Sequence, residues 1–348
     1  MASNLLKLPI QTINTKNPSV PFRFTRTLLP YHSIPLHHRH HHQHQHSNFS
    51  FFPPNLLHNS KFPSLSLHCS LSSYAPPTTK EEAILQAKTC LSTTLEKPLN
   101  NPRLAGKLKK QKQPRFRVEI PVIDDSLEST AQLAFDVFGD LPMKRKGTLV
   151  KILILWSNPT LTKLADEAFQ SCPSNHVRVD HWDISSLTDE LTDEDTRILN
   201  SADVVVFSAP ESSQVEFIKT ISDNLYPKPV VFFNPKWAFE DESGFGEMSG
   251  FLASFEVVYS FMGLEVRGVL SKRKGIVFRY VRDGVLSGER WAVWVEEEGE
   301  MKVISRFKKR PSIGEVENVL YNLMAVNSPI TKSAKFLRDL VSNVSGKK

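Results

Sequence analysis

The chain has 348 residues, a formal net charge of +6 and three cysteines. Three cysteines that include no C-x-x-C pair exclude both a zinc knuckle and a framework of structural disulfides. The sequence also lacks any run of roughly eighteen apolar residues, and it therefore predicts no membrane-spanning helix.

The first 80 residues have a composition that differs from the rest of the chain. They contain seven lysines and arginines but no acidic residue, because the first acidic side chain is Glu81. They are also rich in Ser, Thr and Pro, as organelle transit peptides are. Prolines interrupt every apolar stretch, which excludes a secretory signal, and the sparse arginines favour the plastid over the mitochondrion. We predict that residues 1–70 are a chloroplast transit peptide, disordered and cleaved, and that the protein acts in the stroma or at the stromal face of the thylakoid.

The remaining chain is close to electrically neutral. Residues 81–348 carry a formal charge of −1, so the basic character of the whole chain is not evidence of nucleic-acid binding. Ten of the twelve histidines precede residue 70, which makes the His-rich tract a low-complexity part of the leader rather than a metal site. Only His176 and His181 remain, and we predict neither a metal site nor a cofactor.

The predicted elements begin with an amphipathic helix. Thr78 with Glu81, or Thr79 with Glu82, offers a capping box. Apolar residues then recur at three-to-four spacing over 83–95. We expect Pro98 to end this helix and a basic loop to occupy residues 103–117.

Strand and helix patterns then alternate. The predicted strands cover 116–121, 150–156, 177–182, 204–209 and 230–233, and the predicted helices cover 125–138, 160–170 and 211–225. Continuous apolar runs such as VKILILW at 150–156 are typical of strands that are buried on both faces. Alternation of this kind indicates a largely parallel, Rossmann-like sheet flanked by helices.

The pattern changes after residue 237. Four strands joined by short turns are predicted at 256–267, 275–283, 290–296 and 301–307. Two helices follow, the first beginning at a capping box formed by Ser312 and Glu315. The predicted fold class is therefore α/β, with a largely parallel sheet continued by antiparallel strands and two terminal helices. We assign residues 74–326 to a single domain and residues 327–348 to a basic helix or tail.

Five short motifs resemble those of a known family. They are YAPPTTKEEAILQAK at 74–88, VEIP at 118–121, FNP at 233–235, GIVFR at 275–279, and PS with EV at 311–316. In this order the motifs resemble an uncharacterised family of plastid and cyanobacterial domains. That family includes the third-named low photosystem II accumulation assembly factor and the C-terminal part of a chloroplast adenylate kinase.

The resemblance implies a plastid-associated α/β domain, and it implies photosystem II assembly as a role of at least one member. It supplies no catalytic residues. It does not imply adenylate kinase activity, because the G-x-x-x-x-G-K loop of that enzyme is absent from this sequence. The basic insert at 103–117 departs from the pattern of the assembly factor.

Polar residues follow three of the predicted parallel strands. In open α/β sheets ligands bind beyond the carboxyl ends of the strands, and Ser or Asn at a helix start can present amides to an anion. We therefore name a hypothetical ligand-binding cleft, although the same residue types are also ordinary helix caps. No G-x-G-x-x-G fingerprint accompanies it. The cleft residues are Ser157, Asn158, Ser208, Asn234 and Lys236.

Catalytic patterns are incomplete, and we predict no catalytic residue. The acidic cluster at 189–195 is typical of a solvated helix or loop. Asp180, His181 and Asp183 could transfer protons, but they also suit the surface end of a strand. Charge is unevenly distributed, with −13 over residues 121–260 and +6 over residues 267–310. A basic face would suit an acidic protein partner or anionic thylakoid lipid, or it would simply be solvated.

Three functions remain open at this point. The first is a chloroplast accessory protein that assists assembly or maintenance of a photosystem complex through protein contacts. The second is an α/β enzyme that binds a phosphometabolite or nucleotide at the strand-end cleft. The third is plastid RNA binding, suggested by KGIVFRYV at 274–281, although the aromatic residues that an RNA-recognition strand needs at Ile276 and Val281 are missing.

Overall fold

Apolar runs in the middle of the chain form a sheet whose central strands are buried on both faces. The computed structural model describes residues 11–14, 75–100, 112–121, 126–145, 148–170, 174–185, 191–237, 242–267, 272–286 and 290–326. The strands in these ranges are β1 (Gln11–Asn14), β2 (Arg115–Glu119), β3 (Val150–Trp156), β4 (Val177–Asp183), β5 (Val204–Ser208), β6 (Val230–Phe233), β7 (Glu256–Arg267), β8 (Lys272–Tyr280), β9 (Trp291–Glu297) and β10 (Glu300–Phe307).

Helices occupy the segments between the parallel strands and follow the last strand. They are α1 (Lys80–Asn100), α2 (Leu127–Phe138), α3 (Pro159–Phe169), α4 (Asp193–Ser201), α5 (Val215–Asn224), α6 (Ser249–Leu252) and α7 (Ile313–Val326), with 3₁₀ turns at Ser212–Gln214 and Glu242–Met248. Among the helices that the structure describes, none combines the length and the apolar character needed to cross a membrane.

The strands form one sheet that changes character half-way across. Their order is β10-β9-β8-β7-β2-β6-β5-β3-β4, and β1 pairs with β7 beside this path. From β4 across to β7 all neighbours are parallel. From β7 to β10 they are antiparallel. The predicted fold class is confirmed, with a parallel first half, an antiparallel C-terminal half and flanking helices.

Alternate residues of the strands build apolar cores on opposite faces of the sheet. On the first face, α1, α2 and α3 pack against one continuous core that includes Val118, Ile154 and Phe278. On the second face the described residues form two separate apolar clusters. One lies under α4, α5 and α6 and contains Phe207. The other lies under α7 and contains Val293.

The structure corrects the predicted end of the first helix. Helix α1 continues through Pro98 to Asn100 instead of ending at the proline. Proline removes one helical hydrogen bond, but tertiary contacts hold the last turn in place. Lys97 Nζ donates to the Gly284 carbonyl at 2.7 Å, and Asn100 Nδ2 donates to the Lys144 carbonyl at 2.8 Å.

The acidic stretch and the capping boxes have defined conformations. Thr192 and Asp195 form a capping box that begins α4, so part of the acidic cluster is the first turn of a helix. The predicted box of Ser312 and Glu315 is present at α7. The predicted final helix after residue 326 and residues 103–111 of the basic loop lie outside the described residues.

Candidate functional site

The predicted cleft residues lie at the carboxyl ends of three adjacent strands. Strands β6, β5 and β3 are neighbours in the sheet, so the residues at their carboxyl ends lie along one edge. Ser157 and Asn158 follow β3, Ser208 ends β5, and Asn234 follows β6. Strand β3 is also the point where the chain turns back, because β4 lies on one side of it and β5 on the other. Ligands of open α/β sheets bind at such a switch point.

Two of these side chains hold the start of a helix and the end of a strand. Asn158 Oδ1 accepts a hydrogen bond from the Leu161 amide at 2.8 Å and caps α3. Asn234 lies in the left-handed region with φ of 47°. Its Nδ2 donates to the Ile120 carbonyl at 2.9 Å, and its Oδ1 accepts from the Ile120 amide at 2.7 Å. Asn234 therefore joins the end of β6 to the end of β2.

The other three residues differ in their surroundings. Ser157 is half-buried beside Asn158. Lys236 Nζ lies 2.6 Å from Glu211 Oε1 in an exposed ion pair. Ser208 is 1% exposed, and within the described part of the chain its hydroxyl forms no hydrogen bond. Of these five residues, Ser208 is the one whose hydroxyl is buried and has no hydrogen-bond partner in the described part of the chain.

A buried ionic cluster, which the sequence analysis did not predict, lies next to Asn234. It consists of Arg117, Glu119, Glu242, Ser260 and Arg310. Glu119 is 2% exposed, and Arg310 donates to its two oxygens at 2.9 and 3.0 Å. Ser260 Oγ donates to Glu119 Oε2 at 2.5 Å. Arg310 and Ser260 together occupy both carboxylate oxygens, so this carboxylate is not open as a general base.

The charge state of Glu119 follows from its neighbours. Burial acts to raise its pKa, but the charges of Arg117 and Arg310, with the hydrogen bonds from Arg310 and Ser260, outweigh that effect. The pKa of Glu119 therefore lies below its ordinary value, and the carboxylate stays ionised. A buried charge of this kind is stable only while its partners remain.

Arg117 is the least exposed charged residue of the cluster. Its side chain is 1% exposed, its Nη1 contacts Glu242, and its Nε lies 2.5 Å from Glu119 Oε1. That Nε approach lacks the alignment of a hydrogen bond, and Nη2 has no hydrogen-bond acceptor among the described residues. Arg117 and Glu119 alternate along β2 with residues of the first-face core, so they lie on the second face.

A tryptophan extends the cluster toward the antiparallel strands. The guanidinium carbon of Arg310 lies 5.2 Å from the centre of the Trp291 ring, and that of Arg279 lies 5.7 Å from it. Arg279 also pairs with Glu256 at the start of β7. Cation–π contacts of this kind hold two arginines against one buried aromatic ring.

Four of the five sequence motifs meet in this region. VEIP contributes Glu119 and Ile120, FNP contributes Asn234, and GIVFR contributes Arg279. The PS motif directly follows Arg310. These segments are distant in sequence, yet they converge at the carboxyl end of β2, beside β7, the strand at which the parallel and antiparallel halves of the sheet meet. We take this region, with the strand-end cleft beside it, as the candidate functional site.

Other candidate residues do not assemble into a catalytic group. Trp156 Nε1 donates to His181 Nδ1 at 3.1 Å, and the Phe169 ring packs edge-on at 4.5 Å. Burial lowers the pKa of His181 against the opposing charges of Asp166 and Asp180. Within the described ranges, no group of three or more His, Cys, Asp or Glu side chains is arranged to hold a metal ion.

A surface groove of about 440 Å³ lies away from both regions. Its lining includes Leu85 and Lys88 of α1, Asp140, Pro142 and His176. None of the five predicted cleft residues lines it, so it does not represent the predicted site.

Comparison with known proteins gives a family but no activity. No curated protein matches the chain. Among solved structures, a KaiC-like protein of the archaeon Pyrococcus horikoshii is 9% identical to this chain, with a TM-score of 0.26. The alignment covers 56% of this chain and 90% of the archaeal chain. That similarity is too low to inform the function. The family described as a domain of unknown function, DUF1995, matches residues 77–318, and the chain therefore belongs to the DUF1995 family.

Proposed function

We propose that the protein is a chloroplast accessory protein that assists assembly or maintenance of a photosystem complex through protein contacts. It would act in the stroma or at the stromal face of the thylakoid. The proposal rests on the contacts that the side chains at the strand ends make. Asn158, Asn234 and Lys236 bond to the chain's own backbone or to Glu211, so they hold the fold rather than face a substrate.

The chemistry of the candidate site supports a structural role for it. Glu119 has both oxygens occupied, and the buried arginines are held by carboxylates and by Trp291. Such a site joins two halves of a sheet but presents no activated nucleophile. The resemblance of the sequence motifs to a family with a photosystem II assembly factor supports the choice of a photosystem as the client.

A basic surface supplies a means of contact. Strand β10 is an edge of the sheet, pairing with β9 and with no other described strand. Lys302, Arg306, Lys308 and Lys309 are exposed on it and just after it. Lysines on an edge strand also discourage aggregation, so they would have a role even without a partner. Their charge additionally suits an acidic protein surface or a peripheral contact with anionic thylakoid lipid.

Affinity purification from isolated chloroplasts tests the proposal. The tagged protein would be recovered separately from stroma and from washed thylakoids, and co-purifying proteins would be identified by mass spectrometry. We expect photosystem subunits or assembly intermediates to co-purify. Recovery of no photosystem subunit from either fraction would contradict the proposal.

A pair of charge-reversal variants locates the contact. Arg306→Glu with Lys308→Glu reverses two exposed charges at β10, whereas Lys163→Glu with Arg178→Glu reverses two exposed charges on the parallel half. Both variants change the net charge equally. Loss of the photosystem proteins in the first variant and their retention in the second would support contact through β10.

A second candidate function is phosphometabolite binding at the strand-end cleft. The unpaired buried hydroxyl of Ser208 favours it, because buried polar groups ordinarily have partners. A raised melting temperature with sugar phosphates or nucleotides, lost in Ser208→Ala, would favour this function. RNA stacking is disfavoured because Phe278 is 3% exposed and packs in the first-face core.

A further inference from the structure

Strand β7 extends well beyond its parallel neighbour. It has 12 residues, from Glu256 to Arg267. On one side β8 pairs with it as far as Arg267. On the other side β2 pairs with it only as far as Ser260. Pro121 follows soon after the end of β2, and proline has no amide hydrogen with which to continue the pairing. The later part of β7 therefore presents an edge that β2 does not cover.

The first strand of the chain occupies part of this edge. Strand β1 pairs in parallel with β7, in the register Gln11 with Leu264 through Asn14 with Arg267. Because β8 already pairs with this stretch on its other side, β1 must lie on the side of β2. No other described strand pairs with β1. The acceptor stretch is well anchored, since Leu264 is 2% exposed and packs in the core under α7.

The position of β1 in the sequence gives the pairing its significance. Residues 11–14 fall within the predicted transit peptide, and their removal would leave the amides and carbonyls of residues 264–267 without a strand on that side. A short strand is marginal by itself and forms by adding to an existing sheet. Addition of an extended segment to a sheet edge is a common mode of peptide recognition, in which main-chain hydrogen bonds supply the affinity.

We propose that the β7 edge at Leu264–Arg267 is a strand-addition site. In the full chain the leader strand Gln11–Asn14 fills it. The leader strand is thus the occupant of this edge, and its removal leaves the edge open to the same segment added in trans. This inference rests on the chloroplast location given under the proposed function, for which the sequence predicts removal of the leader, but not on the photosystem role.

Hydrogen–deuterium exchange on the full 348-residue chain tests the site. The double variant Thr12→Pro with Ile13→Pro removes two neighbouring amides. Successive amides of a strand point to opposite edges, so one of the two points toward β7, and at least that hydrogen bond is lost. We expect exchange at residues 264–267 to accelerate by about tenfold, the size expected from losing one or two backbone hydrogen bonds. Thr15→Pro with Lys16→Pro, just beyond β1, is the matched control and should leave exchange unchanged.

A peptide added in trans tests whether the edge accepts a strand from outside. A synthetic peptide covering residues 8–17 is added to the Thr12→Pro, Ile13→Pro chain, and we expect it to restore protection at 264–267. The same peptide carrying the two prolines should not do so. Equal exchange in the wild type and the double variant, or failure of the peptide to restore protection, would overturn the inference. Neither result depends on which proteins co-purify from chloroplasts, so this test and the test of the proposed function fail independently.

Discussion

Arg310 donates two parallel hydrogen bonds, of 2.9 and 3.0 Å, to Glu119 across 191 residues of sequence. The bidentate pair connects the turn before α7 to the end of β2. It therefore fastens the last described helix of the chain to the central strand β2, next to β7, where the parallel and antiparallel halves meet. Arginine suits this position because its planar guanidinium matches both oxygens of a carboxylate.

Removing one partner of this pair should be strongly destabilising. Glu119→Gln leaves Arg117 and Arg310 without the charge that they surround, and we expect the free energy of unfolding to fall by about 3–5 kcal/mol. Urea unfolding followed by circular dichroism measures this change. Arg306→Ala, an exposed arginine nearby on β10, is the control and should change stability by less than about 0.5 kcal/mol. Equal effects of the two substitutions would show that the cluster contributes little.

The stability of the protein should depend on pH through Glu119. Its folded pKa lies below its ordinary value of 4.5, so the unfolded chain takes up a proton more readily than the folded chain as the pH falls. The contribution of Glu119 is therefore fully present above about pH 4.5 and is lost as the pH falls through the lower folded pKa. We expect the difference in unfolding free energy between wild type and Glu119→Gln to be smaller at about pH 3 than at about pH 6, with the decline beginning near pH 4.5. A difference that stays constant over this range would contradict the assignment.

The backbone conformation and the side chain of Asn234 should contribute separately to the free energy of unfolding. Asn234→Gly keeps the left-handed backbone but loses both bonds to Ile120, and we expect a loss of about 1–3 kcal/mol. Asn234→Ala loses the same bonds and adds the cost of a Cβ at φ of 47°, a further loss of about 1 kcal/mol. Thermal or urea unfolding of both variants measures the two contributions. An alanine variant more stable than the glycine variant would show that the backbone conformation is not maintained.

Two glycines with positive φ form a matched pair for testing how α1 is held. A Cβ at Gly284 would lie 2.4 Å from the Thr93 carbonyl oxygen of α1, whereas a Cβ at Gly299 would meet nothing within 4 Å. Gly299→Ala should cost about 1 kcal/mol for its conformation alone. Gly284→Ala must also displace the helix, and we expect a cost of about 3 kcal/mol or more. Similar melting temperatures for the two variants would contradict the close approach of Gly284 to α1.

The sequence was sufficient to predict nine of the ten described strands because apolar runs mark them, but β1 was not predicted and lies in the leader that was expected to be disordered. The predicted bounds of β3, β6 and β7 coincide with the observed ones. Pro98 was expected to end α1 because proline breaks a helix locally. Bonds from Lys97 and Asn100 to distant segments override that tendency, and no local pattern contains them.

The ionic cluster could not be predicted from the sequence. Arg117 and Glu119 alternate with apolar residues, which is the pattern of a strand with one solvated face. On that face Glu119 instead bonds to Ser260 and Arg310, which lie 141 and 191 residues further along the chain. The predicted cleft residues do lie at neighbouring strand ends, but the pattern cannot give the direction of the Asn234 side chain, which turns to Ile120.

The accumulation of photosystem complexes in a line that lacks this protein tests the proposed function most directly. Photosystem subunits would be measured by quantitative immunoblotting of thylakoids, with chlorophyll fluorescence yield measured in parallel. We expect reduced subunit levels and a reduced yield, both restored by the wild-type gene. Normal photosystem accumulation and normal fluorescence yield in that line would contradict the account.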